Sequence, residues 1–149
     1  MRLECGCATP EQLRADGPSV EVDIHAPDGE LLRTVTALLD TGSGVTVINI
    51  NLATELKLPE GERHVTEAIG GKHEGTLFGA WVVHQGIDVG LRGQFLGVRM
   101  EPPLILGRDF LSACRMDYDG ATGRVSLRRS SSASRERQPV AGTAPSSIG

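Results

Sequence analysis

A chain of 149 residues is long enough for one domain with a sizeable core, and no apolar run in it approaches the ~20 residues that span a bilayer. Its net charge is −4; four Arg and one Glu from Arg128 onward leave −7 on residues 1–127. That acidic balance makes a poor nucleic-acid binder, and no membrane partner is expected.

The first 17 residues are an unassigned lead-in without the apolar centre of a signal peptide, so the expected location is cytoplasmic. Cys5 and Cys7 lie here with no second pair to complete a zinc site. Cys114 brings the total to three, an odd number that favours reduced thiols over a disulfide framework. The role of Cys5 and Cys7 stays open, and Cys114, among apolar residues, reads as a core thiol. The four His, His25, His64, His73 and His84, have no ligand spacing, so no metal and no cofactor is implied.

Ser19 to His25 alternates strictly, with Val20, Val22 and Ile24 facing in and Glu21, Asp23 and His25 facing out, which predicts a half-buried strand. Pro27-Asp28-Gly29 turns the chain, and Leu31 to Leu39 is the return strand, apolar on both faces near its end. Val45 to Ile50 is another strand. Asn51 to Leu58 is a short helix capped by Asn49 or Asn51 and stopped at Pro59. Residues 60–64 read as a polar loop.

Val65 to Ile69 and His73 to Phe78 form a hairpin about Gly70 and Gly71. Gly79 to His84 is an apolar strand with the sole tryptophan, Trp81, in the core. Ile87, Val89 and Leu91 alternate, and a shift of inward phase to Leu96, Val98 and Met100 suggests a bulge after Gly93. Leu104 to Leu106 is a short buried strand, and Asp109 to Cys114 a short helix. Met116 and Tyr118, then Val125 and Leu127, are two strands about a turn at residues 119–123. About eight short strands and two short helices, without βαβ alternation, predict an all-β, barrel-like domain over residues 18–128. The Ser-, Arg- and Pro-rich residues 129–149 form a disordered tail.

One stretch organises the rest. The apolar run Val35 to Leu39 stops at a carboxylate, Asp40, followed by Thr41, Gly42 and Ser43 and a second apolar run. A buried strand that delivers Asp onto a small, polar turn can present the carboxylate to a substrate while another backbone comes close.

Ala37 to Ser43 followed by Val45 to Ile48 resembles the active-site loop of retropepsin-like aspartic proteases, of the single-domain cellular or bacterial type. Ile105 to Leu111, with Leu106, Gly107 and Arg108 at its centre, is similar to their second signature, a structural strand–Gly–helix element. The hairpin with Ile69, Gly70 and Gly71 lies where the family carries its substrate-binding flap. The resemblance spans about Ser19 to Leu127 and implies a closed acid-protease β-barrel with a flap hairpin and one or two short helices. Gly44 departs from the retroviral pattern, which has an acidic partner there for the Arg. Arg108's partner is thus open between Asp109 and the neighbourhood of Asp40.

Peptide hydrolysis by carboxylates needs two of them, one as base and one as acid. This chain has one Asp-Thr-Gly, so the resemblance implies a homodimer that brings two Asp40 together and cleaves an extended peptide or protein substrate. Thr41 would fix the two loops across the dimer, Gly42 would let them approach, and Ser43 would donate to the carboxylate. A non-catalytic dimerisation or peptide-binding domain of the same fold is the alternative.

Overall fold

The computed structural model describes residues 2–4, 9–68, 71–131 and 136–137. Among these, β2 (Ser19–His25) and β3 (Leu31–Leu39) form the expected hairpin, with Val20, Val22 and Ile24 buried. β4 (Val47–Asn49) leads into α2 (Ile50–Glu55), and β5 (Glu60–Ala68) pairs antiparallel with β6 (Gly71–His84). β7 (Val89–Val98), β8 (Leu104–Leu106) and α3 (Arg108–Leu111) follow. The hydrogen-bonded order β7-β4-β8-β3-β2-β6 returns from β6 to β7 and closes a six-stranded barrel. β5 flanks the barrel on β6.

The barrel is filled by side chains. All three Phe of the chain, Phe78, Phe95 and Phe110, are fully buried, with Ile24, Ile48, Leu91, Leu104 and Leu106 around them. Each such side chain contributes about 1.5–3 kcal/mol through its removal from water.

A second, three-stranded sheet has the order β1-β10-β9, with β1 (Arg2–Glu4), β9 (Cys114–Asp119) and β10 (Arg124–Arg129). Its first strand comes from the lead-in, as does helix α1 (Pro10–Asp16). Thr9 caps α1 by accepting the Gln12 N–H at 3.1 Å, and Leu13 enters the core. Glu136–Arg137 form a two-residue strand, β11, parallel to Gly90 and Leu91 of β7.

Several expectations are corrected. Residues 60–64 are strand and not loop, because β6 offers β5 an edge to pair with, through a register shift between Glu60 and Arg63, and this overrides their polarity. His73 to Phe78 and Gly79 to His84 belong to one strand of 14 residues. The bulge after Gly93 is absent: β6 and β7 keep one register from Thr76↔Gly97 to His84↔Val89, and Gly93 takes a φ of 146° within it. His25, expected outside, is 8% exposed. Trp81 is half-buried, stacked beneath the Arg92 guanidinium at 4.3 Å and not in the core. Cys114 is half-buried at the start of β9, three residues past the end of α3 at Leu111. Cys5, Cys7 and residues 138–149 lie outside the described residues.

Asn49 resolves the capping alternative. Its Oδ1 accepts the N–H groups of Asn51 and Leu52 at 2.8 and 3.2 Å, while its Nδ2 donates to the Met100 carbonyl at 2.6 Å. One side chain thus starts α2 and ties it to the chain beyond β7. Asn49→Ala is expected to lower the unfolding free energy by about 1–2 kcal/mol, read as a fall in the urea midpoint at unchanged slope.

Candidate active site

The barrel order places β8 between β3 and β4. The register Ala37↔Leu104, Leu38↔Ile105, Leu39↔Leu106 runs the two motif strands in parallel, so both leave the sheet at the same end. Backbone bonds carry the alignment past the strand ends. The Asp40 N–H donates to Leu106 O at 3.0 Å, and the Arg108 N–H donates to Ser43 O at 2.8 Å.

Asp40 to Ser43 form a tight turn, closed by the Ser43 N–H on Asp40 O at 3.2 Å. The Asp40 carboxylate accepts the Gly42 N–H at 2.9 Å and remains half-buried; Thr41 and Gly42 are exposed. A Cβ on Gly42 would sit 3.1 Å from that carboxylate oxygen, tight against it. The Ser43 hydroxyl donates to Val45 O at 2.6 Å and not to the Asp40 carboxylate, so it shapes the loop. The partner of Arg108 is the loop backbone: Nη1 donates to Thr41 O at 2.8 Å. A carbonyl does here what an acidic side chain at position 44 would do. A Cβ on Gly44 would lie 3.4 Å from Arg108 Nη2, so the guanidinium covers that glycine.

Beneath the loop lies a buried polar junction that the sequence did not reveal. Asp109, 5% exposed, accepts the Thr46 N–H at 2.9 Å, the Thr46 hydroxyl at 2.6 Å and the Phe110 N–H at 2.8 Å. Thr46 Oγ1 in turn accepts the Gly107 N–H at 3.1 Å. A Cβ on Gly107 would clash with the carbonyls of Val45 and Ser43, so only glycine admits this crossing of chains. The available signal was an Asp inside an apolar run, which needs several donors if it is buried.

The β5–β6 hairpin is present, with Ala68 opposite Gly71. Gly71 opens β6, whereas Ile69 and Gly70 lie outside the described residues. Among the described residues, no group of three or more His, Cys, Asp or Glu has a geometry that could hold a metal ion. No helix among them is long and apolar enough to cross a membrane.

Asp109→Ala would leave the buried N–H groups of Thr46 and Phe110 without their acceptor. The expected loss is roughly 2–4 kcal/mol, because each orphaned buried donor costs about 1–3 kcal/mol. Thr46→Val, which leaves the Asp109 carboxylate two of its three donors, is expected to cost less, about 1–2 kcal/mol. Denaturant titration of both variants checks the order.

No family model matches this sequence, and no curated protein matches it. Among solved structures, this chain is similar to the EIAV protease complexed with the inhibitor HBY-793, at 26% identity and a TM-score of 0.48, covering 64% of this chain and 85% of that one. It is also similar to the simian foamy virus (mac) protease in solution, at 16% identity and a TM-score of 0.44, covering 63% of this chain and 91% of that one.

Proposed function

We propose that this chain is a retropepsin-like aspartic endopeptidase whose active site is completed by a second copy. The observation that carries the proposal is the bracing of the Asp40 loop by a segment 67 residues away. Arg108 grips Thr41 O, Gly107 lies under the loop, and the half-buried Asp40 carboxylate is left with a single described hydrogen bond, from Gly42. A carboxylate fixed at its base and open at its tip suits a group that must meet water and substrate.

With Asp40 from each of two chains side by side, the pair shares one proton, as aspartic-protease dyads do. The ionised member takes a proton from a water as that water's oxygen bonds to the scissile carbonyl carbon. The protonated member gives its proton to the carbonyl oxygen. Collapse of the resulting diol breaks the C–N bond, and the nitrogen leaves with a proton returned by the dyad. Thr41, exposed here, would reach across to the partner loop. The β5–β6 hairpin with Ile69, Gly70 and Gly71 would close over an extended peptide held by strand-like hydrogen bonds.

Asp40→Asn keeps the size of the side chain and removes the base. Cleavage of an unfolded protein is expected to fall by at least ~10²–10⁴-fold with thermal midpoint and sedimentation unchanged. Near wild-type turnover in that variant would rule Asp40 out as the catalyst. In the wild type, a statine-type transition-state mimic should block cleavage and a chelator should not.

A shared site also makes activity depend on concentration. Specific activity is expected to fall as the chain is diluted below its dimer dissociation constant. Constant specific activity in a species shown by sedimentation to be monomeric would refute the two-chain site.

A further inference from the structure

Strand β9 lies at a sheet edge. In the order β1-β10-β9 its strand neighbour among the described residues is β10, and its other side faces away from the sheet. The Ser130 N–H donates to Ala113 O at 2.8 Å, one step beyond the pair Arg129↔Cys114. Hydrogen-bonded and non-hydrogen-bonded pairs alternate along an antiparallel ladder. Arg115 and Asp117 therefore turn their backbone groups toward β10, and Met116 and Tyr118 turn theirs outward. Arg115, Asp117, Tyr118 and Asp119 are exposed, so this edge is open to a second strand. An open edge is a template for strand pairing.

The residues of the edge specify which strand fits. Cys114-Arg115-Met116-Asp117-Tyr118 carries a cation and an anion placed symmetrically about Met116. Two copies of β9, antiparallel about a two-fold axis at Met116, set Met116 against itself and Tyr118 against Cys114 of the second copy. Those pairs use the outward backbone groups of Met116 and Tyr118. Arg115 then stands opposite Asp117 of the second copy, once on each side of the axis. Both are non-hydrogen-bonded pairs, with Cα atoms about 4.5 Å apart and side chains close, where opposite charges attract.

Neighbouring registers do worse. The next ones in either direction that keep the outward groups paired are centred on Arg115 or on Asp117, and each sets like charge against like charge. Within its own sheet Arg115 stands opposite Arg128 and Asp117 opposite Ser126, so β10 places no opposite charge directly across from either. Tyr118, 55% exposed, is with Leu31 one of the exposed large hydrophobic side chains among the described residues. It shares a face with Met116 and Cys114, which pack against the core, and the pairing extends apolar cover over it.

We infer that the outer edge of β9 is where a second copy of this chain docks, antiparallel and centred on Met116, joining two three-stranded sheets into one. The inference rests on the reading that a second copy completes the site at Asp40, and it names the surface that holds that copy. The docking edge and the brace of the Asp40 loop are successive stretches of chain: α3, which opens with Arg108, ends at Leu111, and β9 starts at Cys114.

Charge exchange tests the register. Arg115→Asp sets acid against acid across the axis, and Asp117→Arg sets arginine against arginine. Each alone is expected to raise the dimer dissociation constant of the full chain about tenfold or more, read by sedimentation. An equimolar mixture of the two variants has opposite charges at both contacts and should return to near the wild-type constant, which effects confined to each chain cannot produce. Where either variant fails to fold, Met116→Cys reads the same axis, because directly paired residues about 5.5 Å apart suit a disulfide. Mild oxidation should then give a covalent dimer linked through position 116, located by peptide mass mapping. A wild-type chain that stays monomeric, single variants that dimerise as the wild type does, a mixture no tighter than its components, or no link through position 116 would overturn the inference. Cleavage of an unfolded protein, followed in the same samples, separates this from the catalytic reading. A mixture that regains the dimer in a chain without cleavage supports the edge and refutes the protease, whereas a cleaving dimer indifferent to both variants refutes the edge alone.

Discussion

The carboxylate of Asp109 sits almost out of reach of solvent where α3 begins, and three hydrogen bonds from Thr46 and Phe110 hold it there. A buried carboxylate without donors would cost several kcal/mol, so the chain around it is arranged to supply them. Thr46 turns its N–H away from any neighbouring strand and toward Asp109, which is why β4 begins only at Val47. The loop from Asp40 must then close over Gly107, and the close approach of Val45 and Ser43 leaves room there for nothing larger than hydrogen.

The turn at Gly107 divides two tasks between consecutive residues. Asp109 points inward and fastens the strand that follows the loop; Arg108 points outward and fastens the loop itself through Thr41 O. Neither touches the Asp40 carboxylate, yet both set where it stands. The exposed contact is the weaker of the two, because water competes for a guanidinium and a carbonyl at the surface. Stability is therefore concentrated in the buried junction, and adjustability in the exposed rim.

The hairpin β2–β3, the short strand β8 and the loop at Asp40 were legible in the sequence because each has a local cause. Strict alternation marks β2, and an apolar run that halts at Asp40 or Gly107 marks the others. The errors have non-local causes. Residues 60–64 look like a loop by composition and become strand only because β6 is there to pair with them. His25 looks exposed by alternation and is buried by the packing of Trp81 against it. Helix α1 did carry a local signal, Thr9-Pro10-Glu11-Gln12, a capping residue with Pro at the first helical position. The link between Thr46 and Asp109 spans 63 residues, and no window along the chain contains both ends.

That span has a consequence for how the molecule comes into being. Every bond that braces the Asp40 loop from outside reaches to residues 106–109, so only the loop's own turn bonds hold it until about three quarters of this sequence has been synthesised. Closing so long a connection is entropically costly and slow, and the parallel pairing of β3 with β8 offers no short route to it. A nascent or truncated chain that stops before Leu104 can form the β2–β3 hairpin yet has no brace for Asp40. The order of assembly thus delays the final placement of Asp40 until the barrel around it can close.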